Sequence, residues 1–170
     1  MPAEKLILSL LVNNESGVLT RISGLFARRG FNIDSLSVGE TQDPHVSRIT
    51  IQAAGDEYVR EQVVHQLEKL HDVQVVALMD PARTVTRELL LVKVQAEPAT
   101  RSQVLDAVTV FRAKVIDLTP ATMTMELTGE NTKLDAFIHF LQPLGIIEVC
   151  RTGVTAIGRG EYVLTKNEEE

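Results

Sequence analysis

At 170 residues the chain has room for one domain or two small ones. It is 44% hydrophobic and 24% charged, as a water-soluble globular protein should be, and its net charge of −6 argues against nucleic acid as the main partner, since phosphate binding wants a basic face. The single cysteine, Cys150, excludes an intramolecular disulfide, suits a reducing, cytoplasmic setting, and reads as a small buried hydrophobe near a strand.

Met1-Pro2-Ala3-Glu4-Lys5 leads directly into the apolar run Leu6 to Val12, with no secretory pattern ahead of it. That run is too short for a membrane helix and has the length of a buried strand. Asn13-Asn14-Glu15-Ser16-Gly17 forms the turn that follows. Val18, Ile22, Leu25 and Phe26 then recur at helical spacing, with Ser16 expected as the N-cap. Such a turn exposes unpaired amides at a helix N-terminus, an arrangement suited to a carboxylate. Arg28-Arg29-Gly30 should end the helix on a C′ glycine. In the next segment Phe31 and Ile33 share one phase while Leu36 and Val38 take the other, which predicts a strand with a bulge between them. After a turn-rich loop at 39–45, Val46, Ile49, Ile51 and Ala53 mark a strand whose Arg48, Thr50 and Gln52 face outward. Gly55-Asp56 opens a second helix with the stripe Val59, Val63, Leu67 and Leu70, and Val73 to Met79 is a closing strand.

The order then repeats. A polar, proline-containing linker at 80–86 precedes a strand with Leu90, Val92, Val94 and Ala96 on one face. Thr100-Arg101-Ser102-Gln103 reads as a capping box for a helix carrying Val104, Ala107, Val108 and Phe111. Two strands, 114–118 and 122–128, flank the turn Thr119-Pro120-Ala121, and the alternation of Met123, Met125 and Leu127 marks a half-buried strand. A helix with Leu134, Phe137, Ile138 and Leu141 ends at Pro143-Leu144-Gly145, and Ile146 to Thr152 is the last strand. The fold class is therefore α+β: two ferredoxin-like βαββαβ sandwiches, spanning 1–79 and 87–158, with a mobile acidic tail at 159–170. Units this small bury limited apolar area, which favours pairing with a second copy.

The segments Asn13 to Ile22 and Leu25 to Leu36 resemble the N-terminal ACT domain of the small, regulatory subunit of acetohydroxyacid synthase (acetolactate synthase). Ser47-Arg48-Ile49-Thr50-Ile51, Glu88 to Val94, Phe111 to Asp117 and Lys133 to Phe137 are similar to that subunit in particular, so the resemblance runs over roughly residues 5 to 160. It implies a non-catalytic chain that activates a large subunit carrying thiamine diphosphate, magnesium and FAD in branched-chain amino-acid synthesis, and that makes it sensitive to valine. It implies no cofactor in this chain, a homodimer with sheets paired edge to edge through the N-terminal domains, and valine held between those domains. Carried over by motif, Asn14, Gly17, Val18 and Leu19 would supply turn contacts, and Asn32, Ile33 and Asp34 strand contacts. The turn amides would take the carboxylate, Asn and Asp side chains the ammonium, and aliphatics the isopropyl group.

Other functions find less support in the residues. His45, His65, His71 and His139 are scattered, with no acid or cysteine at ligand spacing. The glycines at 153–160 have irregular spacing and no helix pattern after them, so they do not form a phosphate loop. Ser16 lacks the Gly-x-Ser-x-Gly frame of a nucleophile elbow. An RNA-binding sandwich would need aromatics at alternate positions on the open sheet face, and the strands lack them. A small enzyme on the same fold would need a convergent acid–base or ligand set. An ACT-type sensing module that regulates a different enzyme is the alternative to the synthase subunit.

Overall fold

The computed structural model describes residues 4–165. They form two compact units. One comprises the described residues up to Val85 together with those from Val154 onward, and the other runs from Thr86 to Gly153.

The first unit is built from β1 (Lys5–Asn13), α1 (Val18–Arg28), β2 (Ile33–Glu40), β3 (Val46–Ala54), α2 (Glu57–Glu68) and β4 (Val73–Leu78). Its antiparallel sheet has the order β2-β3-β1-β4, leaving β2 and β4 as edges. Leu8, Leu10, Ile49 and Ile51 meet Ile22, Phe26, Val63 and Leu67 of the two helices in a core that is almost wholly aliphatic. The expected irregularity in β2 is present: its register on β3 shifts between Ile33 and Ser35, which puts the extra residue at Asp34.

The second unit repeats the order. A 3₁₀ turn (Pro81–Arg83) precedes β5 (Thr84–Gln95), so strand begins within the stretch that reads as a linker. Then follow α3 (Arg101–Phe111), β6 (Lys114–Leu118), β7 (Thr122–Gly129), α4 (Asn131–Gly145) and β8 (Ile146–Arg151), in the sheet order β6-β7-β5-β8. Leu90, Val92, Val94, Met123 and Met125 pack on Val104, Leu134 and Phe137 in its core. Cys150 is exposed on β8, opposite Leu91, and is not the buried hydrophobe expected. Strand β8 is an edge, so a side chain there can lie open to solvent.

Two caps differ from expectation. Gly17, not Ser16, is the N-cap of α1, with φ of 86° and no side-chain cap bond. Thr100 makes no cap bond either; its hydroxyl lies 3.5 Å from the Glu97 carbonyl, so the capping box does not form. By contrast, Asp56 caps α2 by accepting from the Val59 amide at 2.9 Å. The α1 terminus behaves as read: Gly30 (φ 69°) and Phe31 donate to the carbonyls of Ala27 and Phe26 in a Schellman arrangement.

One element was not anticipated. Residues 154–165 cross the open face of the first unit's sheet as a strap that includes β9 (Thr155–Gly158). The Val154 amide donates to Ser35 Oγ (3.0 Å), and Ser37 Oγ donates to the Val154 carbonyl (3.1 Å). Arg48 Nη2 donates to the Ala156 carbonyl (2.9 Å), and the Arg159 amide donates to the Arg83 carbonyl (2.7 Å). Val154, Ala156 and Leu164 are buried. Thr50 and Gln52 therefore do not face solvent as their outward phase on β3 predicts; both are buried, as is Ser9. The strap groups residues 154–158 with the first unit. Of the stretch read as a mobile tail, Leu164 is only 8% exposed and Arg83 stacks on the Tyr162 ring at 5.3 Å. Residues 166–170 lie outside the described residues.

Candidate functional site

The turn after β1 is fixed by its own backbone and by the 41–45 loop. The Asn14 amide donates to the His45 carbonyl (2.8 Å), and its side-chain Nδ2 donates to the Pro44 carbonyl (2.9 Å) and to Glu40 Oε1 (3.1 Å). Asn14 thus holds the loop against the turn, and both of those side-chain donor bonds are already made. Asn13 ties the turn to β4: its Oδ1 accepts from Gln74 Nε2 at 2.8 Å, and its amide donates to the Asp72 carbonyl at 2.9 Å.

Gly17 takes the left-handed conformation that this turn requires, which an L side chain adopts at a cost. Having no side chain, it leaves the first-turn amides of Val18, Leu19 and Thr20 without the oxygen that Ser or Asp would supply. Val18 points into the core, whereas Leu19 is 41% exposed beside those amides. Sequence reasoning missed a nearby cation. Arg21 Nη1 lies 3.0 Å from where a Cβ on Gly17 would stand, and Arg21 Nε is paired with the buried Asp72 at 2.5 Å. The signal was legible in principle, because residues four apart share a helix face. The turn therefore combines orphan amides, the positive end of α1 and a guanidinium, which together favour a carboxylate.

At the far end of α1, Asn32 Nδ2 donates to Asp34 Oδ1 at 2.9 Å. Asp34 sits on the β2 bulge and is exposed, and Ile33 is half-buried against the core. This end offers a carboxylate and an aliphatic side chain side by side.

The structure does not bring the two groups together within one chain. Asn14, Gly17, Val18 and Leu19 stand at the start of α1, and Asn32, Ile33 and Asp34 just past its end. The helix has 11 residues, which at about 1.5 Å each separates the groups by roughly 16 Å. A free amino acid is far too short to touch both. Among the described residues no group of three His, Cys, Asp or Glu side chains could hold a metal ion, and no helix is long and apolar enough to cross a membrane.

Comparison with known proteins gives a consistent result over both halves. Residues 8–75 match the family described as the AHAS small subunit-like ACT domain, and residues 87–160 match the small subunit of acetolactate synthase. The chain is 46% identical over 159 residues to a probable acetolactate synthase small subunit of Methanothermobacter thermautotrophicus, covering 93% of this chain and 95% of that one. It is equally similar to the acetolactate synthase isozyme 3 small subunit of Escherichia coli, covering 93% and 98% of the two chains. The crystal structure of an acetolactate synthase small subunit from Thermotoga maritima superposes with a TM-score of 0.86 at 37% identity, over 94% of this chain and 99% of that one.

Proposed function

Because the chain belongs to the acetolactate synthase small-subunit family, we propose that it is the cytoplasmic regulatory partner of the thiamine-diphosphate-dependent catalytic subunit, raising its activity and making it sensitive to valine. Thiamine diphosphate, magnesium and FAD belong to the catalytic subunit, and this chain performs no chemistry of its own. The observation that carries the valine site is the separation of its two halves. Two copies related by a two-fold axis, joined along the β2 edges, set the turn of one against the Asn32–Asp34 strand of the other. The valine carboxylate then takes the Val18 and Leu19 amides with Arg21 behind them. Asp34 of the second copy takes the ammonium, and Leu19 and Ile33 enclose the isopropyl group.

The test is reconstitution with the catalytic subunit and titration with valine, using wild-type and Gly17→Asp chains. The new carboxylate would reach toward the Arg21 guanidinium and occupy the anion site itself. Repulsion between like charges about 4 Å apart, roughly 4 kcal/mol at an effective dielectric of 20, then opposes the ligand. Even half of that weakens binding more than tenfold. Valine should inhibit the wild-type complex and fail on the mutant complex, while both remain activated. Unchanged inhibition of the mutant places the effector elsewhere, and a wild-type chain that does not activate overturns the regulatory reading.

A further inference from the structure

Strand β4 is an edge of the first unit's sheet, and helix α2 overhangs it. Glu57, Glu61, Val64, His65 and Glu68 follow helical spacing along the overhanging side of α2, and with Arg60 they line a groove whose sheet-side wall is Leu78. Leu78 is 40% exposed although it is aliphatic and lies in a strand. The acids of this groove are unpaired among the described residues, whereas Arg60 is drawn aside to Glu4 at 2.7 Å. The groove is therefore negatively charged with an apolar floor.

The backbone of β4 is open along the same side. The Met79 amide donates to the Ile7 carbonyl of β1 at 2.8 Å. Strand alternation then turns the amides of Ala77 and Val75 toward β1 as well, and those of Val76 and Leu78 away from the sheet. An edge with outward donors and acceptors is a template for another strand. The dimensions agree. Six residues of β4 span about 17 Å, and the α2 stripe from Glu57 to Glu68 spans about 16 Å. A strand laid on β4 would turn alternate side chains toward α2, one of them near Leu78 at the end of β4 and the others along the glutamate stripe.

We propose that this groove docks an extended segment of the catalytic subunit, with basic side chains and an apolar one on the face it turns toward α2, which joins the sheet through β4. The inference rests on the regulatory-subunit reading above and assigns the surface that reading leaves open. Opposite charge across the groove selects the segment, and main-chain bonds to Val76 and Leu78 hold it. The β2 edge stays available to a second copy of this chain.

Two variants of the full chain separate the charge from the backbone contribution. Glu57→Lys/Glu61→Lys/Glu68→Lys reverses the stripe. Leu78→Pro removes an outward donor without touching the β1 ladder. Each is titrated into the catalytic subunit, with circular dichroism and thermal melting to verify the fold. Wild type should activate, with an affinity that falls as salt rises. Both variants should need at least tenfold more protein for half-maximal activation. Wild-type titration by either folded variant overturns the proposal, and a normal Leu78→Pro alone overturns strand addition. If the charge reversal lowers the mass of the free subunit in sedimentation, the occupant is a second copy and the proposal is wrong. If wild type does not activate at all, the regulatory reading fails and takes this occupant with it.

Discussion

Glu88 is a carboxylate with 4% side-chain exposure inside β5, an interior strand of the second unit's sheet. It is tolerated there because Arg151 donates to both of its oxygens at 2.9 Å, while the same guanidinium reaches Asp135 at 2.8 Å. The Glu88 bonds, reinforced by Asp135, hold the Arg151 pKa above its usual range against the cost of burial. Removing one partner of such a pair costs more than the pair contributes, because a buried charge is left alone. Arg151→Met should therefore lower stability by about 2–3 kcal/mol, toward the low end for a buried pair because Arg151 itself is partly exposed. Glu88→Gln/Arg151→Met should recover part of that loss. Urea titration of wild type, the Arg151→Met and Glu88→Gln single variants and the double variant gives the coupling, and losses that simply add in the double variant would show that the pair is not coupled. None of this was legible in the sequence, since Glu88 and Arg151 are 63 residues apart and meet only when β5 pairs with β8. The turn residues were partly legible. Gly17, Val18 and Leu19 stand at a helix N-terminus as their pattern implied, but the Arg21–Asp72 pair behind them spans 51 positions and left no local trace.

Periodicity located the elements because each unit has one helix-covered face, and a slip of one residue would turn Leu8 or Met125 away from the core. Caps were less legible. They depend on backbone angles that Ser16 and Thr100 could have served but do not. Helix α3 shows the same point at its other end. Arg112 stands in the left-handed region at φ 57°, and the Ala113 amide donates to the Val108 carbonyl at 2.9 Å, a terminus of the kind that Gly30 provides for α1. Among the described residues Arg112 is the one non-glycine residue with positive φ. Glycine adopts that conformation without the Cβ clash that costs other residues roughly 1–2 kcal/mol. Arg112→Gly should therefore stabilise the second unit by roughly 0.5–1 kcal/mol, net of the freedom that glycine gains in the unfolded chain. A rise of a few degrees in the melting midpoint is the expected reading. A fall would mean that the Arg112 side chain makes a contact worth more than the strain.

At the scale of the whole molecule, the strap ties residues 154–165 to the first sheet. A sequence reading could not find it. Val154, Ala156 and Leu164 lack the length and period of a core element, and their partners Ser35, Ser37 and Arg48 carry the polar phase of β2 and β3. That polar phase is the lasting sign of the strap: a sheet face made of Ser9, Ser37 and Thr50 in one row is too polar for a core and too buried for solvent. Burial under the strap also lowers the Arg48 pKa, opposed by nearby Tyr162, and leaves Arg48 Nε without a partner among the described residues. Leu164 is the strap's last apolar anchor, so Leu164→Ala tests whether docking contributes to stability. A buried leucine cut to alanine typically costs 2–5 kcal/mol, and a site at the rim, free to relax, should sit near 2. With an m-value of about 2 kcal/mol/M for a small unit, the urea midpoint of the first unit should fall by about 1 M. The loss should be local. Hydrogen exchange should quicken in the strap and in β2 and β3, while β7 keeps its protection, since local opening follows the contacts that are lost. An unchanged midpoint would show that Leu164 adds nothing to folding. Equal loosening of β7 would show that the two units unfold as one, and the strap would then be a strut of the whole chain and not of its first half.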